Sequence, residues 1–231
     1  MAENPDIAVV IPTLNAEAGL RRLLAQIPGD IRRVVADGGS EDGTLRVALR
    51  AGAVVASGAS GRGSQLRLGA DFAMEHLPED GWLLFLHADT RLPDNWRALV
   101  AAHARLIPQK AAYFGFDGEA DWLTRGMLRL AVRLRELAWS LPYGDQGLLV
   151  SVSLYREIGG YHDMPLFEDV DMVTRLRRAS GRLVRLRGHI RTDIGAHARE
   201  GVVRRGTRNL RLLSAYRHGV PVEELLERYL K

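Results

Sequence analysis

The apolar run Trp82-Leu83-Leu84-Phe85-Leu86 breaks at once into His87-Ala88-Asp89. In an extended segment residues i and i+2 point the same way, so His87 and Asp89 are expected to face one site. One carboxylate and one imidazole make a thin metal site. The pair suits Mg²⁺ or Mn²⁺ where a diphosphate supplies further oxygens. The competing readings are a satisfied core histidine and an aspartate that caps the approach to a helix at Pro93.

Three other segments carry comparable chemistry. In "VVADGGSEDGT" Asp37 directly follows an apolar run, where a carboxylate can accept hydrogen bonds from a base or ribose. A capped turn is the plainer reading, since Asp, Gly and Ser are common turn residues. "GRGSQ" (61–65) lets the backbone approach a ligand and offers Arg62 to a phosphate. It is not a dinucleotide fingerprint, because Leu66 stands where a third glycine is required. "FEDVD" (167–171) puts Glu168, Asp169 and Asp171 at an expected helix start. The helix dipole there should hold their pKa values down, whereas an apolar pocket at Phe167 or a neighbouring carboxylate would push one back up.

The elements around these segments alternate. Strand-like runs at 7–11, 31–36, 53–57 and 82–86 alternate with helix-like patterns. Leu20, Leu23, Leu24 and Ile27 mark the first helix, and Leu66, Gly69, Ala70, Ala73 and Leu77 the third. Ser40 is read as the N-cap of a helix near 41–50, and a further helix is expected from Pro93 to about Ile107. Such alternation implies βαβ units and a mainly parallel sheet with helices on both faces. Ligands then bind beyond the carboxyl ends of the strands. "PTLN", "DGGSEDGT", "GASGRGSQ" and "HADT" all fall at those ends. Beyond them come a strand at 112–120, a long helix at 121–141, a turn into a strand at "PYGDQGLLVS", a helix from the "FEDVD" segment and a helical tail from Gly201. One domain is expected over 1–231, with a nucleotide-binding half (1–110), an acceptor-binding half (111–200) and the tail (201–231).

Composition excludes several classes. The chain has 231 residues, 46% of them apolar, and no cysteine, so disulfides and thiolate metal sites are out. The net charge is +4, with arginines crowded between 175 and 217. A solvated basic face is the common reading of such a run; an anionic ligand or lipid surface is the alternative. No aromatic RNA-binding signature accompanies the arginines, so specific nucleic-acid binding is not expected. No secretory signal or membrane-spanning run is seen, which points to a cytoplasmic protein.

Taken in order, "VVIPTLNAE", "VADGGSEDGT", "HADT" and "GGYHDMPLFEDVDMVTRLRR" resemble the family 2 glycosyltransferases of the GT-A fold, from Val9 to about Arg178. "GRGSQLRLGA", "GDQG" and the tail look more specifically like a small soluble bacterial subgroup associated with radical-SAM/selenodomain proteins or arsenosugar synthesis. The resemblance implies an α/β GT-A fold and transfer of a sugar from a nucleoside diphosphate to an acceptor hydroxyl, with inversion. It implies that Pro12, Thr13, Asn15 and Asp37 line the nucleotide, with Arg62 and Gln65 near nucleotide or phosphate. Asp89 would meet a divalent metal, Mg²⁺ or Mn²⁺. Asp169 would take the acceptor's proton, with Glu168 beside it, and Asp145 and Gln146 would border sugar or acceptor. His87 replaces the first aspartate of the family's Asp-x-Asp, which puts the ribose or sugar contacts of that position in doubt. His197 is a candidate late metal or phosphate ligand.

The partners expected are the nucleotide-sugar donor and an unidentified hydroxyl acceptor, with a homodimer and contact at the inner face of an anionic membrane left open. Two alternatives also remain open. A nucleotidyltransferase would share the fold and Mg²⁺, but it usually needs a Gly-rich basic loop after the first strand, where this chain has "PTLNAEAGLRR". A non-enzymatic anion- or lipid-surface-binding protein would use the tail, with Leu210, Leu213 and Val220 between arginines.

Overall fold

The computed structural model describes residues 5–58, 61–118, 146–192 and 202–230. Its strands are β1 (Ile7–Thr13), β2 (Arg32–Asp37), β3 (Val54–Ser57), β4 (Trp82–Phe85), β5 (Ala112–Gly118), β6 (Leu148–Ser151) and β7 (Val184–Thr192). Its helices are α1 (Glu17–Leu24), α2 (Thr44–Arg50), α3 (Arg62–Met74), α4 (Trp96–Leu106), α5 (Val152–Glu157), α6 (Glu168–Ser180), α7 (Val202–Arg217) and α8 (Val222–Leu230). The expected helix at 121–141 lies outside the described residues.

The β-branched and apolar runs pair into one sheet in the order β3-β2-β1-β4-β6-β5-β7. β6 runs antiparallel to β4 and β5, and the other described pairs are parallel. The mainly parallel sheet read from the alternation is therefore borne out. Side chains alternate across the sheet with period two. Ile7, Val9 and Ile11 of β1 pack with Leu20, Leu23, Val47 and Trp96 of α1, α2 and α4. Ala8 and Val10 pack on the other face with Leu66, Ala70, Met172 and Leu176 of α3 and α6. Gly69 lets α3 lie close on the sheet: a Cβ there would come within 2.6 Å of Val10 Cγ1 and 3.2 Å of Ala36 Cβ.

Register sets up the site. Thr13 pairs with Asp37 and Asp37 with Ser57, so β1, β2 and β3 end on one level. β4 stops opposite Val10, and the Leu86 amide donates to Val10 O at 3.0 Å. The residues after Leu86 therefore emerge beside the end of β1.

Several expectations are corrected. α2 starts at Thr44, with Gly43 rather than Ser40 as its N-cap residue. α3 starts at Arg62, so all of "GRGSQ" after Gly61 lies in the first turn of a helix. β7 was hidden in the arginine-rich stretch read as a solvated face. It buries Leu186, Gly188, Ile190 and Thr192 in alternation with exposed Arg187, His189 and Arg191. The basic reading holds for one side of a strand whose other side is core. Leu213, grouped by sequence with Leu210 and Val220 as a lipid-facing set, is instead buried against Val170 and Val173 of α6. No described helix is long and apolar enough to cross a membrane.

Candidate active site

At the ends of β1 and β2 the Asp37 side chain is 2% exposed. Its Oδ1 accepts from Thr13 Oγ1 (2.8 Å) and Ser40 Oγ (2.6 Å). Its Oδ2 accepts from the amides of Gly39 (3.0 Å) and Ser40 (2.8 Å). Burial pushes the carboxyl pKa up, but these donors together outweigh it and hold the group below the ordinary aspartate value. A carboxylate has about four lone-pair sites, and here the protein's own donors fill them. Asp37 thus organises the loop first, and a nucleotide would have to share those bonds. Gln65, buried on the first turn of α3, donates from Nε2 to the carbonyls of Thr13 and Ala36, each at 2.8 Å. It ties the two strand ends together, so its amide N–H groups are committed to backbone rather than to a ligand.

The loop after β2 also caps the helix after β1. The amides of Asn15 and Ala16 donate to Ser40 Oγ and Thr44 Oγ1, each at 2.8 Å, and the Glu17 amide donates to Asp42 Oδ2 at 3.1 Å. In return the Glu41 amide donates to Asn15 Oδ1 at 2.8 Å. Asn15 has φ +50, in the left-handed region that asparagine tolerates. An open cavity of about 360 Å³ lies along this seam, from Asn15 to Gly19 with Arg21 and Asp42. Ser40, Asp42 and Thr44 thus build the site alongside Asp37, and the dense Asp/Ser/Thr/Gly spacing of 37–44 is their signal in the sequence.

His87 to Thr90 forms a turn closed by the Thr90 amide on His87 O at 3.1 Å. The segment is therefore not extended, and the premise that His87 and Asp89 share a face fails. The turn sets Asp89 against α1, where a Cβ on Gly19 would lie 2.9 Å from Ala88 O and 3.2 Å from Asp89 Cα. His87 meets α3 instead, its Nε2 in contact with the Arg62 guanidinium. Burial, then the Arg62 charge, holds the His87 pKa well below the usual histidine value, so the ring is neutral and accepts at Nε2. The far side of the turn is anchored to β7 by paired backbone bonds between Arg91 and Arg191, 2.7 and 2.9 Å.

Arg62 reaches across to α6 as well. Its Nε lies 2.9 Å from Glu168 Oε1, close enough for an ion pair though not aligned as a hydrogen bond. Burial and the neighbouring Asp169 push the Glu168 carboxyl above the ordinary glutamate value, and Arg62 offsets only part of this. The expected depression by the helix dipole is thus overruled at Glu168. Asp169 is half-buried and its Oδ1 accepts from the Val170 amide at 2.7 Å. Asp171 is turned to structure: Arg175 donates to its Oδ2 at 2.6 and 2.9 Å, and His162 Nδ1 lies 3.0 Å away. Ser64 on α3 bonds Asp163, and Gly63 lets α3 meet the backbone of His162 and Met164. Phe167, just before α6, has φ +65. A left-handed conformation costs a bulky residue about 1–3 kcal/mol.

Of the other residues singled out by sequence, Pro12 sits in β1 beside Thr13. Gln146 is fully buried, and its Nε2 donates to Phe114 O at 3.4 Å. Asp145 and His197 lie outside the described residues. Among the described residues there is no group of three or more His, Cys, Asp or Glu able to hold a metal. The donor set at the turn is one carboxylate, Asp89, and an imidazole already against a cation. It fits only an ion that takes most of its oxygens from a ligand such as a diphosphate.

A parallel sheet with its late antiparallel β6, carrying its polar residues at the carboxyl ends of β1, β2 and β4, defines the GT-A class of α/β fold. The chain belongs to glycosyl transferase family 2, whose model matches residues 8–147. A comparison with curated proteins found no match. Among solved structures, it is similar to glucosyl-3-phosphoglycerate synthase from Mycobacterium tuberculosis, in complex with Mn²⁺, UDP and glucosyl-3-phosphoglycerate. That match has 16% identity and TM-score 0.58, covering 94% of this chain and 81% of the other. It is also similar to residues 1–349 of S. aureus TarS, with 15% identity and TM-score 0.62 over 97% of this chain and 70% of TarS. A form of that protein in complex with UDP-GlcNAc matches at 16% identity and TM-score 0.61 over 82% and 59%.

Proposed function

We propose that the chain moves a sugar from a nucleoside-diphosphate sugar to an acceptor hydroxyl, with inversion and with help from a divalent ion. The observation that supports this most is the meeting at Arg62. It joins the turn carrying His87 and Asp89 to the helix carrying Glu168 and Asp169, in a family 2 chain. In this reading Pro12, Thr13, Asn15 and Asp37 shape the nucleotide's seat, and Gln65 keeps the ends of β1 and β2 together. Arg62 turns from Glu168 toward the leaving diphosphate, where negative charge develops. Asp89 is the carboxylate that would hold Mg²⁺ or Mn²⁺ on that diphosphate; when bound, the ion supplies positive charge to the leaving group.

Asp169 takes the proton of the acceptor hydroxyl as its oxygen bonds the anomeric carbon and the bond to the diphosphate breaks. Glu168 stands beside Asp169 in that step. Asp145 and Gln146 border the acceptor, and His197 is a candidate late ligand. The resemblance to the radical-SAM/selenodomain-associated subgroup leaves the acceptor open.

UDP and UDP-sugars are the first probes, since the similar M. tuberculosis and S. aureus structures hold UDP and UDP-GlcNAc. Thermal shift with nucleoside diphosphates and their sugars, with and without Mn²⁺, should show stabilisation by at least one of them, because a ligand that binds only the folded state stabilises it. Asp89→Asn and Asp169→Asn should each abolish transfer, and only Asp89→Asn should weaken metal-dependent nucleotide binding. Wild-type transfer by both variants would sink the reading.

A further inference from the structure

We propose that Tyr216 is a positioning residue for the acceptor-side carboxylates. Its ring, stacked on Phe167, holds the left-handed backbone turn that aims Glu168 and Asp169 into the site. The inference rests on the role given above to those two residues.

α6 begins immediately after Phe167, which makes no capping hydrogen bond of its own; in the first turn the Val170 amide donates to Asp169 Oδ1 at 2.7 Å. Helices usually open on Ser, Thr, Asp or Asn, whose side chains bind the first free amides. Here a phenylalanine occupies the cap position, with φ +65 and ψ +21. It is one of two non-glycine residues with positive φ among those described, the other being Asn15. Asparagine tolerates this region through its short polar side chain, whereas phenylalanine does not. Such a conformation persists only where its surroundings over-determine it.

The backbone contributes the Asp171 amide on Phe167 O at 3.0 Å, a bond that any helix start would have. The rest must come from the ring. Phe167 packs into a cluster of Val170, Val173 and Leu213, with Leu183 and Tyr216 at its margin. Tyr216 stacks on it with centroids 5.0 Å apart and planes 28° apart. Tyr216 is itself fixed because Leu213, one turn earlier on α7, is buried against α6. The tail helix therefore reaches back to the one strained residue that precedes both carboxylates. If Phe167 relaxed, Glu168 and Asp169 would swing together, and Glu168 would lose its burial and its 2.9 Å approach to Arg62.

The test follows Glu168 directly, by ¹³C-carboxyl NMR titration of glutamate-labelled protein, with the resonance assigned through Glu168→Gln. Wild type and Tyr216→Phe should titrate above the ordinary glutamate range, since both keep the stacked ring. Tyr216→Ala should fall toward that range. Tyr216→Leu, which retains apolar bulk in case the alanine variant does not fold, should fall as well. UDP affinity should stay within about twofold, while the kcat of UDP-glucose turnover drops by about 100-fold, as expected for a misplaced group rather than lost binding. An unchanged Glu168 midpoint in Tyr216→Leu, an ordinary midpoint in wild type, or a loss in Tyr216→Phe equal to that in Tyr216→Leu overturns the inference. The two readings fail separately. Full transfer by Asp169→Asn removes the base assignment and leaves the titration to be judged alone. An inactive Asp169→Asn beside a wild-type-like Tyr216→Leu removes only the role of Tyr216.

Discussion

Asp37 is the residue on which the nucleotide-side loop is organised, and its surroundings make it acid-sensitive in a defined direction. Four donors converge on a carboxylate that burial would otherwise discharge. Its folded pKa is depressed below the unfolded value. Its stabilisation is therefore complete above the unfolded pKa and is lost as pH falls from there through the folded value. Asp37→Asn removes the charge and turns an amide N–H₂ toward donors. Hydrogen bonds to a charged group are worth about 1.5–3 kcal/mol, so the variant should lose about 3 kcal/mol at neutral pH. Urea midpoints measured across the acid range should show that this difference shrinks as pH falls below about 4. A variant equally destabilised at every pH would show that the four bonds do not depend on the charge. The sign is opposite at Glu168, whose raised folded pKa lowers stability as pH climbs from the unfolded to the folded value and no further.

At the scale of elements, α1 has no side-chain cap of its own among the described residues and borrows its caps from the loop between β2 and α2. Thr44 sits at the centre of this exchange, fully buried, accepting from the Ala16 amide and bonded to Asp42. Thr44→Val preserves shape and removes the hydroxyl, which leaves the Ala16 amide without its acceptor. A lost cap costs about 0.5–2 kcal/mol, and urea denaturation of this variant should fall in that range; an unchanged midpoint would mean that α1 is capped by water alone.

This exchange also explains what was legible in the sequence. Elements whose signal is apolar periodicity, such as β1, α1 and β4, could be read directly, because that period is local. Ser40 was read as a local cap when its oxygen in fact serves Asn15 and Asp37, since capping across a loop depends on tertiary contacts that no spacing encodes. β7 was lost because its arginines outweighed the alternation of Leu186, Gly188 and Ile190. The positions of Asp37, Arg62 and Asp89 at the sheet's edge were foreseeable from the strand ends. The turn at His87 was not, because an apolar run ending in His-Ala-Asp reads equally as extended chain, and the pairing of Arg62 with Glu168 was not, because it depends on α3 starting at Arg62.

Across the whole molecule, the site is assembled from three parts that meet at one cation. The edge of the parallel sheet supplies His87 and Asp89, α3 supplies Arg62, and α6 supplies Glu168 and Asp169. A divalent ion approaching the nucleotide-free protein meets one carboxylate at the turn, Asp89, while the His87 imidazole is turned to α3 against the Arg62 guanidinium. Such a set offers little net negative charge, and hard divalent ions bind by charge and oxygen count. A diphosphate changes both, by supplying oxygens and by giving Arg62 an anion of its own. Metal and nucleotide should therefore bind together, and linkage requires each to raise the other's affinity by the same factor. Calorimetric titration of Mn²⁺ should give weak binding to the free protein and binding at least about tenfold tighter with UDP present, a coupling near 1.4 kcal/mol. UDP affinity should gain equally from saturating Mn²⁺. His87→Asp should tighten Mn²⁺ binding to the free protein and shrink the coupling, because it adds negative charge beside Arg62. Tight Mn²⁺ binding to the nucleotide-free wild type, abolished by Asp89→Asn, would show instead that the turn forms a complete metal site unaided.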